Sequence, residues 1–328
     1  MKAIMIHRYG GPAEMAMEEV APPELGPADA LVRVTAAGVN FIDVYMRNGL
    51  YARSGTYAQS LPLGLGMEGA GVVEAVGEEV SNVCVGDRVA WCIERGSYAE
   101  LARVPAWKLV PVPEEIPDDI AAALQLQGST AHYLTHSLFR LQKGQSCLVH
   151  AGAGGLGQIL IQLAKASGAR VFTTVGSEEK ARAAREAGAD EVLLYREIDF
   201  AEAVLEMTGG EGVHVVYDSV GKDTIKGSFR AARRRGTVSN NGNASGPIGA
   251  LDPLDLAEAG SLFFTRPHLA DYISTAEERQ WRAHDLFDLY TRGQLKIHLD
   301  RILPLAEAVK AHELLEGRQT KGKILLTV

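Results

Sequence analysis

The sequence predicts an α/β chain in two parts, an antiparallel, barrel-like unit followed by a doubly wound parallel sheet. Three observations carry this. Residues 1 to about 122 are rich in Val, Gly and Pro and fall into short strand-like runs bounded by turn residues. From about residue 123 a helical stretch leads into regular strand–helix alternation, the pattern of a sheet covered by helices. Inside that alternation the glycine turn Gly152-Ala153-Gly154-Gly155-Leu156-Gly157 follows an apolar run and opens a helix. At 328 residues the chain is long enough for two full cores.

In the first part, strands are expected over 2–7, 30–37, 71–76 and 87–91; the stretch from Gly71 to Gly77 alternates with the two-residue period of a half-buried strand. In the second part, about six strands are expected, over 147–151, 170–175, 191–195, 213–219, 236–240 and 261–265, with helices between them. Arg230, Arg233, Arg234 and Arg235 precede Gly236 and read as cations at the C-terminal end of a helix, where the macrodipole favours them. The last sixty or so residues are helix-rich and end in a strand-like run over 323–328 that nothing in the pattern assigns to the second sheet. The expected division is 1–122, 123–266 and 267–328.

The composition, 46% hydrophobic and 23% charged, is that of a soluble globular chain. A net charge of −8 without a basic face argues against a nucleic-acid partner. The start Met1-Lys2-Ala3-Ile4 has no signal peptide, and no long apolar span follows, so no membrane association and a cytoplasmic location are expected. Cys84, Cys92 and Cys147 are odd in number and form no C-x-x-C, which fits a reducing compartment.

The glycine turn matches G-x-G-x-x-G at Gly152, Gly154 and Gly157, with a strand before it, a helix after it and a second strand beyond Gly168. In that context the pattern points to a dinucleotide: backbone amides approach a pyrophosphate, which rests on the positive end of the helix. An NAD site would place an acid at the end of the second strand to hold the ribose 2′-hydroxyl. Here the strand ends Thr174-Val175-Gly176-Ser177, and the acid is missing. Ser177 reads as the N-cap of the next helix, and Lys180 stands unfavourably for a cation in a first turn. Either Ser177 and Lys180 hold a 2′-phosphate, or the site is a plain N-cap with a solvated lysine. Glu178 and Glu179 would repel a phosphate if they faced it.

Several ordered matches give the chain a resemblance. They are Gly38-Val39-Asn40-Phe41-Ile42-Asp43 with Tyr45 and Tyr51; Gly64-Leu65-Gly66-Met67-Glu68-Gly69-Ala70-Gly71; Val85-Gly86-Asp87-Arg88-Val89; the glycine turn with His150; Val216-Tyr217-Asp218-Ser219-Val220-Gly221; and Gly260-Ser261-Leu262-Phe263-Phe264-Thr265-Arg266-Pro267. On these the chain resembles the medium-chain dehydrogenase/reductase superfamily, in its NADPH:quinone oxidoreductase branch that includes ζ-crystallin. The resemblance implies a GroES-like β-barrel catalytic domain, a Rossmann domain for the cofactor, a C-terminal segment rejoining the barrel, and a homodimer.

It also bears on metal. Zinc alcohol dehydrogenases of the superfamily carry a Cys near the position of Asn40 and a His just before Glu68, where this chain has Met67, a poor zinc ligand. The four closely spaced cysteines of a structural zinc lobe are absent. His132 and His136 stand four apart on an expected helix, but Tyr133 replaces the Glu of H-E-x-x-H, so they read as surface or pocket histidines. The implied chemistry is therefore metal-free hydride transfer to a quinone, whose anionic product needs little acid catalysis.

The resemblance places Asn40, Tyr45 and Tyr51 at the nicotinamide and substrate pocket; Asn40 would donate to a carbonyl or touch the nicotinamide ribose, and the tyrosines would supply hydroxyls and ring faces. It places Thr130, Gly154, Gly155, Leu156, Gly176, Ser177, Lys180, Tyr195, Ser219, Gly242, Phe264, Arg266 and Arg318 at the cofactor. Tyr195, at the end of the third strand, joins Ser177 and Lys180 in favouring NADP. The chain departs from the family pattern at Gln127, Ser129 and Asn241, which predicts a more polar pocket. Relatives that reduce enones, 2-alkenals or enoyl thioesters supply a second expectation, and ζ-crystallin-like structural or RNA-binding proteins a third.

Overall fold

A computed structural model describes residues 1–58 and 60–328. The chain divides into two compact units, Met1–Ser129 with Tyr272–Val328, and Thr130–Asp271.

The first unit is built on the long strand Asp29–Val39, which buries Ala30, Val32, Val34 and Ala36 in the expected alternation. Along one edge it pairs antiparallel with Glu68–Val76, which in turn pairs with Arg88–Cys92. Its other edge is shared. Leu101–Pro105 takes residues Asp29 to Arg33, and the C-terminal strand Lys323–Thr327 takes Ala36 to Val39. Leu299–Pro304 lies parallel to that last strand, and a smaller sheet orders Ala16–Glu19, Lys2–Ile6 and Leu63–Gly64. Several of these strands have no sequence signature. Leu63–Gly64 and Val110–Pro111 are two residues long, and Leu299–Pro304 buries no residue fully, so no alternation marks it.

The helix Asp118–Ala123 widens into a π-type turn over Leu124–Gly128 and stays with the first unit. It does so because the Leu126 amide donates to the Glu68 carboxylate. The division therefore falls later than residue 122.

The second unit is a six-stranded parallel sheet in the order Glu191–Leu194, Arg170–Val175, Ser146–His150, Val213–Asp218, Ala232–Asn240 and Phe263–Thr265. Numbered within the unit this is 3-2-1-4-5-6, with the switch point between the first and fourth strands. Phe172, Leu148, Val216, Val238 and Phe264 are successive register partners, one apolar row across five strands. Phe229 and Val204 close over that row.

One expectation fails here. The helix ends at Ala231, so only Arg230 lies in its last turn; Arg233, Arg234 and Arg235 belong to the strand Ala232–Asn240. They occupy an irregularity between the pairs Val213↔Ala232 and Val215↔Thr237, where Arg235 takes a φ of 58° and its amide binds the Gly260 carbonyl at 2.7 Å. Gly236 marks that bulge rather than a helix end.

Candidate active site

The glycine turn divides its labour. A Cβ at Gly152 would stand 2.0 Å from the Thr173 hydroxyl, and one at Gly157 would stand 2.4 Å from the Ala151 carbonyl, so both glycines are fixed by packing within the protein. A Cβ at Gly154 would meet only the Ala151 carbonyl, at 3.3 Å. Gly154 is the N-cap of the helix Gly155–Ala166 and offers no capping side chain. The leading amides at Gly155, Leu156 and Gly157, which a helix leaves without intrahelical partners, are thus not covered by a cap. This is the cradle a pyrophosphate requires.

At the end of the second strand Gly176 lies against Tyr195, whose hydroxyl would stand 3.0 Å from a Cβ on that glycine. Ser177 caps the helix Glu178–Glu186, accepting from the Lys180 amide at 3.4 Å. Glu178 is drawn along the helix to Arg185 at 2.6 Å. Gly176, Ser177, Lys180 and Tyr195 thus form one neighbourhood, with no acid at the strand end.

At the fourth strand's end Gly242 sits so close to Ser219 that a Cβ would stand 2.5 Å from the Ser219 carbonyl. Behind Ser219 lies a buried network with no counterpart in the sequence expectations. Asp218 accepts from Thr224 at 2.8 Å, from Ser228 at 2.7 Å and from the Val220 and Gly221 amides at 2.9 Å. Because Ser228 donates to Asp218, its oxygen accepts from His150 Nε2 at 3.0 Å, and His150 Nδ1 accepts from Thr174 at 2.8 Å. Burial pushes the His150 pKa down, with Asp218 acting the other way. The network stiffens the strand ends that carry the glycine turn and Ser219.

The remaining cofactor candidates differ in what the fold asks of them. Thr130 is buried in the helix Ser129–Tyr133. The Phe264 ring meets Phe229 edge-on at 5.8 Å and belongs to the core row. Arg266 donates to the Pro267 carbonyl at 3.1 Å. Arg318 is exposed, in the first unit, with a φ of 55°. Both amide atoms of Asn241, and the carbonyl oxygen of Gln127, are buried without a hydrogen-bond partner among the described residues.

In the first unit, Asn40 follows the long strand and precedes the helix Phe41–Arg47. Its side chain is 2% exposed and bound on every side. Oδ1 accepts from Lys323 Nζ at 2.7 Å and from Gln127 Nε2 at 3.2 Å; Nδ2 donates to Glu68 Oε2 at 2.9 Å and to the Gly38 carbonyl at 3.3 Å. Lys323 also binds Glu68 directly, and both side chains are almost fully buried. Leu126 N donates to the other Glu68 oxygen at 2.5 Å. Gly38 leaves the necessary space, since a Cβ there would stand 1.8 Å from Glu68. Both amide protons of Asn40 are committed inside the protein. Donation to a carbonyl therefore requires exchange of one bond, of which the Gly38 contact is the longest.

Helix Phe41–Arg47 carries Tyr45, whose ring packs edge-on against Tyr51 at 5.4 Å; Tyr51 stacks on Tyr57 at 5.0 Å. The family resemblance points to the first two tyrosines and not to the third, which is 6% exposed. The same helix anchors a buried chain of polar groups. Arg47 binds Glu316 and donates to His312 Nδ1 at 2.9 Å; His312 Nε2 and the Tyr98 hydroxyl are 3.3 Å apart, and Tyr98 donates to Asp43 at 3.3 Å. Asp43 accepts from the Asn40 amide at 2.9 Å. Burial raises the Asp43 carboxyl to about 7 and lowers His312 to about 3.

Comparison with known proteins settles the kinship. Residues 26–114 match the alcohol dehydrogenase GroES-like domain and residues 155–287 the family described as zinc-binding dehydrogenase. A quinone oxidoreductase of Pseudomonas aeruginosa is 44% identical over 326 residues, 99% of each chain. This chain belongs to the quinone oxidoreductase family. The structure of Escherichia coli quinone oxidoreductase complexed with NADPH superposes with a TM-score of 0.96 at 40% identity, covering all of both chains. A 2-haloacrylate reductase of Burkholderia is 42% identical over 330 residues, 99% of this chain and 98% of that one.

Within this quinone oxidoreductase fold, the two positions compared with zinc ligands hold Asn40, saturated as described, and Met67, which is buried. Among the described residues no three His, Cys, Asp or Glu side chains are grouped so as to hold a metal ion. His132 and His136 stack at 4.3 Å and 9°. Burial holds the Cys92 thiol at a pKa of about 12, and it donates to the Gln125 carbonyl. No helix among the described residues is long and apolar enough to cross a membrane.

Proposed function

We propose that this protein reduces quinones with NADPH by hydride transfer, without a metal ion. The observation that carries the reading is the second strand's end, where Gly176, Ser177, Lys180 and Tyr195 gather and the acid of an NAD site is missing. Gly152, Gly154, Gly155, Leu156 and Gly157 would hold the pyrophosphate. Ser177, Lys180 and Tyr195 would take the 2′-phosphate, and Thr130, Ser219, Gly242, Phe264, Arg266 and Arg318 the remaining contacts. The unpartnered amide of Asn241 fits a ligand with polar groups of its own. Bound NADPH supplies a hydride from C4 of its nicotinamide.

The protein's own part is to hold the substrate and meet the charge that develops on it. Tyr51, the least buried of the three tyrosines, would offer its ring to a flat quinone, and the hydroxyls of Tyr45 and Tyr51 would donate to the quinol oxygen. A phenol with a reference pKa of about 10 is acid enough for a stabilised quinol anion and too weak for an alkoxide. Asn40 meets the nicotinamide ribose or the substrate carbonyl by exchanging its bond to Gly38.

A second reading, reduction of an activated carbon–carbon double bond such as an enone or 2-alkenal, is favoured by the likeness to the 2-haloacrylate reductase. Competition between 1,4-benzoquinone and a 2-alkenal for limiting NADPH decides between them. Preferential loss of the quinone is expected, and preferential loss of the alkenal would replace the first reading by the second. We place the enzyme in the cytoplasm, on its three free cysteines, and as a homodimer, on the edge strand Phe263–Thr265 with its 65% exposed Phe263. Its net charge of −8 speaks against an RNA-binding role.

A further inference from the structure

We propose that Lys323 and Glu68 are positioning residues for hydride transfer, which they serve by fixing the Asn40 amide in one rotamer and one orientation. The inference rests on the reading above, which places Asn40 at the nicotinamide or the substrate carbonyl.

The geometry carries it in three steps. First, the charges define the orientation. Lys323 donates to Asn40 Oδ1 and Glu68 accepts from Asn40 Nδ2. An amide turned by 180° would set its NH2 against the ammonium and its oxygen against the carboxylate, two repulsive contacts in a buried site. Second, the pair is bound to the backbone. Lys323 opens the C-terminal strand, Glu68 opens its own strand, and Leu126 N and Gly38 confine the carboxylate from either side. Third, stability alone does not call for the pair. Apolar residues of similar volume generally serve a core as well as or better than a buried ion pair. What such residues cannot do is orient an amide.

The test removes both charges together, because Lys323→Met alone would leave a buried carboxylate uncompensated. In Glu68→Gln/Lys323→Met the rate constant for hydride transfer should fall about 10- to 100-fold, while the NADPH concentration at half-saturation stays within about threefold. Asn40→Ala should slow the wild type but change the double variant by less than about twofold, as expected if the pair acts only through Asn40. Glu68→Gln alone, which keeps the shape, should give the same signature with smaller amplitude. A readout independent of turnover is hydrogen exchange of the Asn40 side-chain amide, assigned by its loss in Asn40→Asp. Exchange should be about tenfold faster in the double variant than in the wild type. Equal exchange in the two proteins, or additive effects of Asn40→Ala, would overturn the proposal. A wild type that reduces no quinone would instead sink the functional reading, and the exchange measurement would still decide the positioning role.

Discussion

On the proposed function, the glycine turn of the second unit and the Asn40 cluster of the first would serve a ligand by opposite means. The turn uses the leading backbone amides at Gly155, Leu156 and Gly157 and leaves Gly154 open. The cluster uses side chains from residues 40, 68, 127 and 323 and spends both protons and both lone pairs of its central amide inside the protein. A backbone site tolerates a change in almost any nearby side chain, provided its glycines stay. A saturated side-chain site fails when one partner is removed, because the partner left behind is buried and charged. On the proposed function, the first would be a surface for binding and the second a device for precision.

Substitutions on both sides sharpen that contrast. The largest effect is expected at Lys323. Lys323→Met should lower unfolding stability by about 3–5 kcal/mol, and adding Glu68→Gln should recover most of it, as read by urea unfolding. Asp43 comes next. Its carboxyl is raised by burial to about 7, so the native state binds the proton more tightly than the unfolded chain. That stabilisation is complete below pH 4 and is lost as pH rises through 7. Asp43→Asn should accordingly gain on the wild type by about 3 kcal/mol between pH 4 and pH 7. An unchanging difference across that range would mean the carboxyl titrates normally.

On the other side of the comparison, Lys180→Ala leaves the backbone cradle whole and removes one charge-assisted contact worth about 1.5–3 kcal/mol. NADPH affinity measured by titration should fall about 10- to 100-fold with NADH nearly unaffected, whereas equal losses would assign Lys180 elsewhere. The smallest effect belongs to Tyr45→Phe and Tyr51→Phe. Each keeps its ring contacts and loses one neutral hydrogen bond, so kcat/KM with quinone should drop by about 0.5–1.5 kcal/mol. Abolished turnover would make the phenol an obligatory acid.

The same contrast explains what the sequence could reveal. Gly152, Gly154 and Gly157 are local requirements, readable in a window of six, and the strands around them are continuous apolar runs because the sheet is covered on both faces. Glu68 and Lys323 meet across 255 positions. The signal for them was a lone charge in each of two apolar runs, Gly66-Met67-Glu68-Gly69-Ala70 and Gly322-Lys323-Ile324-Leu325, and opposite charges stranded in such runs are candidates for each other. Tyr57 was invisible because only the fold stacks it on Tyr51. The arginines at 233–235 misled because a strand bulge and a helix C-terminus share the same Arg-Gly spelling.

Metal-free hydride transfer from NADPH to a quinone can be watched in a single-turnover reaction after exhaustive chelation. With NADPH in place and 1,4-benzoquinone added, one quinone should be reduced per NADPH oxidised, at the rate of the untreated enzyme. A rate lost to the chelator and restored by zinc, or a protein that leaves quinone untouched while turning over a simple alcohol or aldehyde, would contradict it.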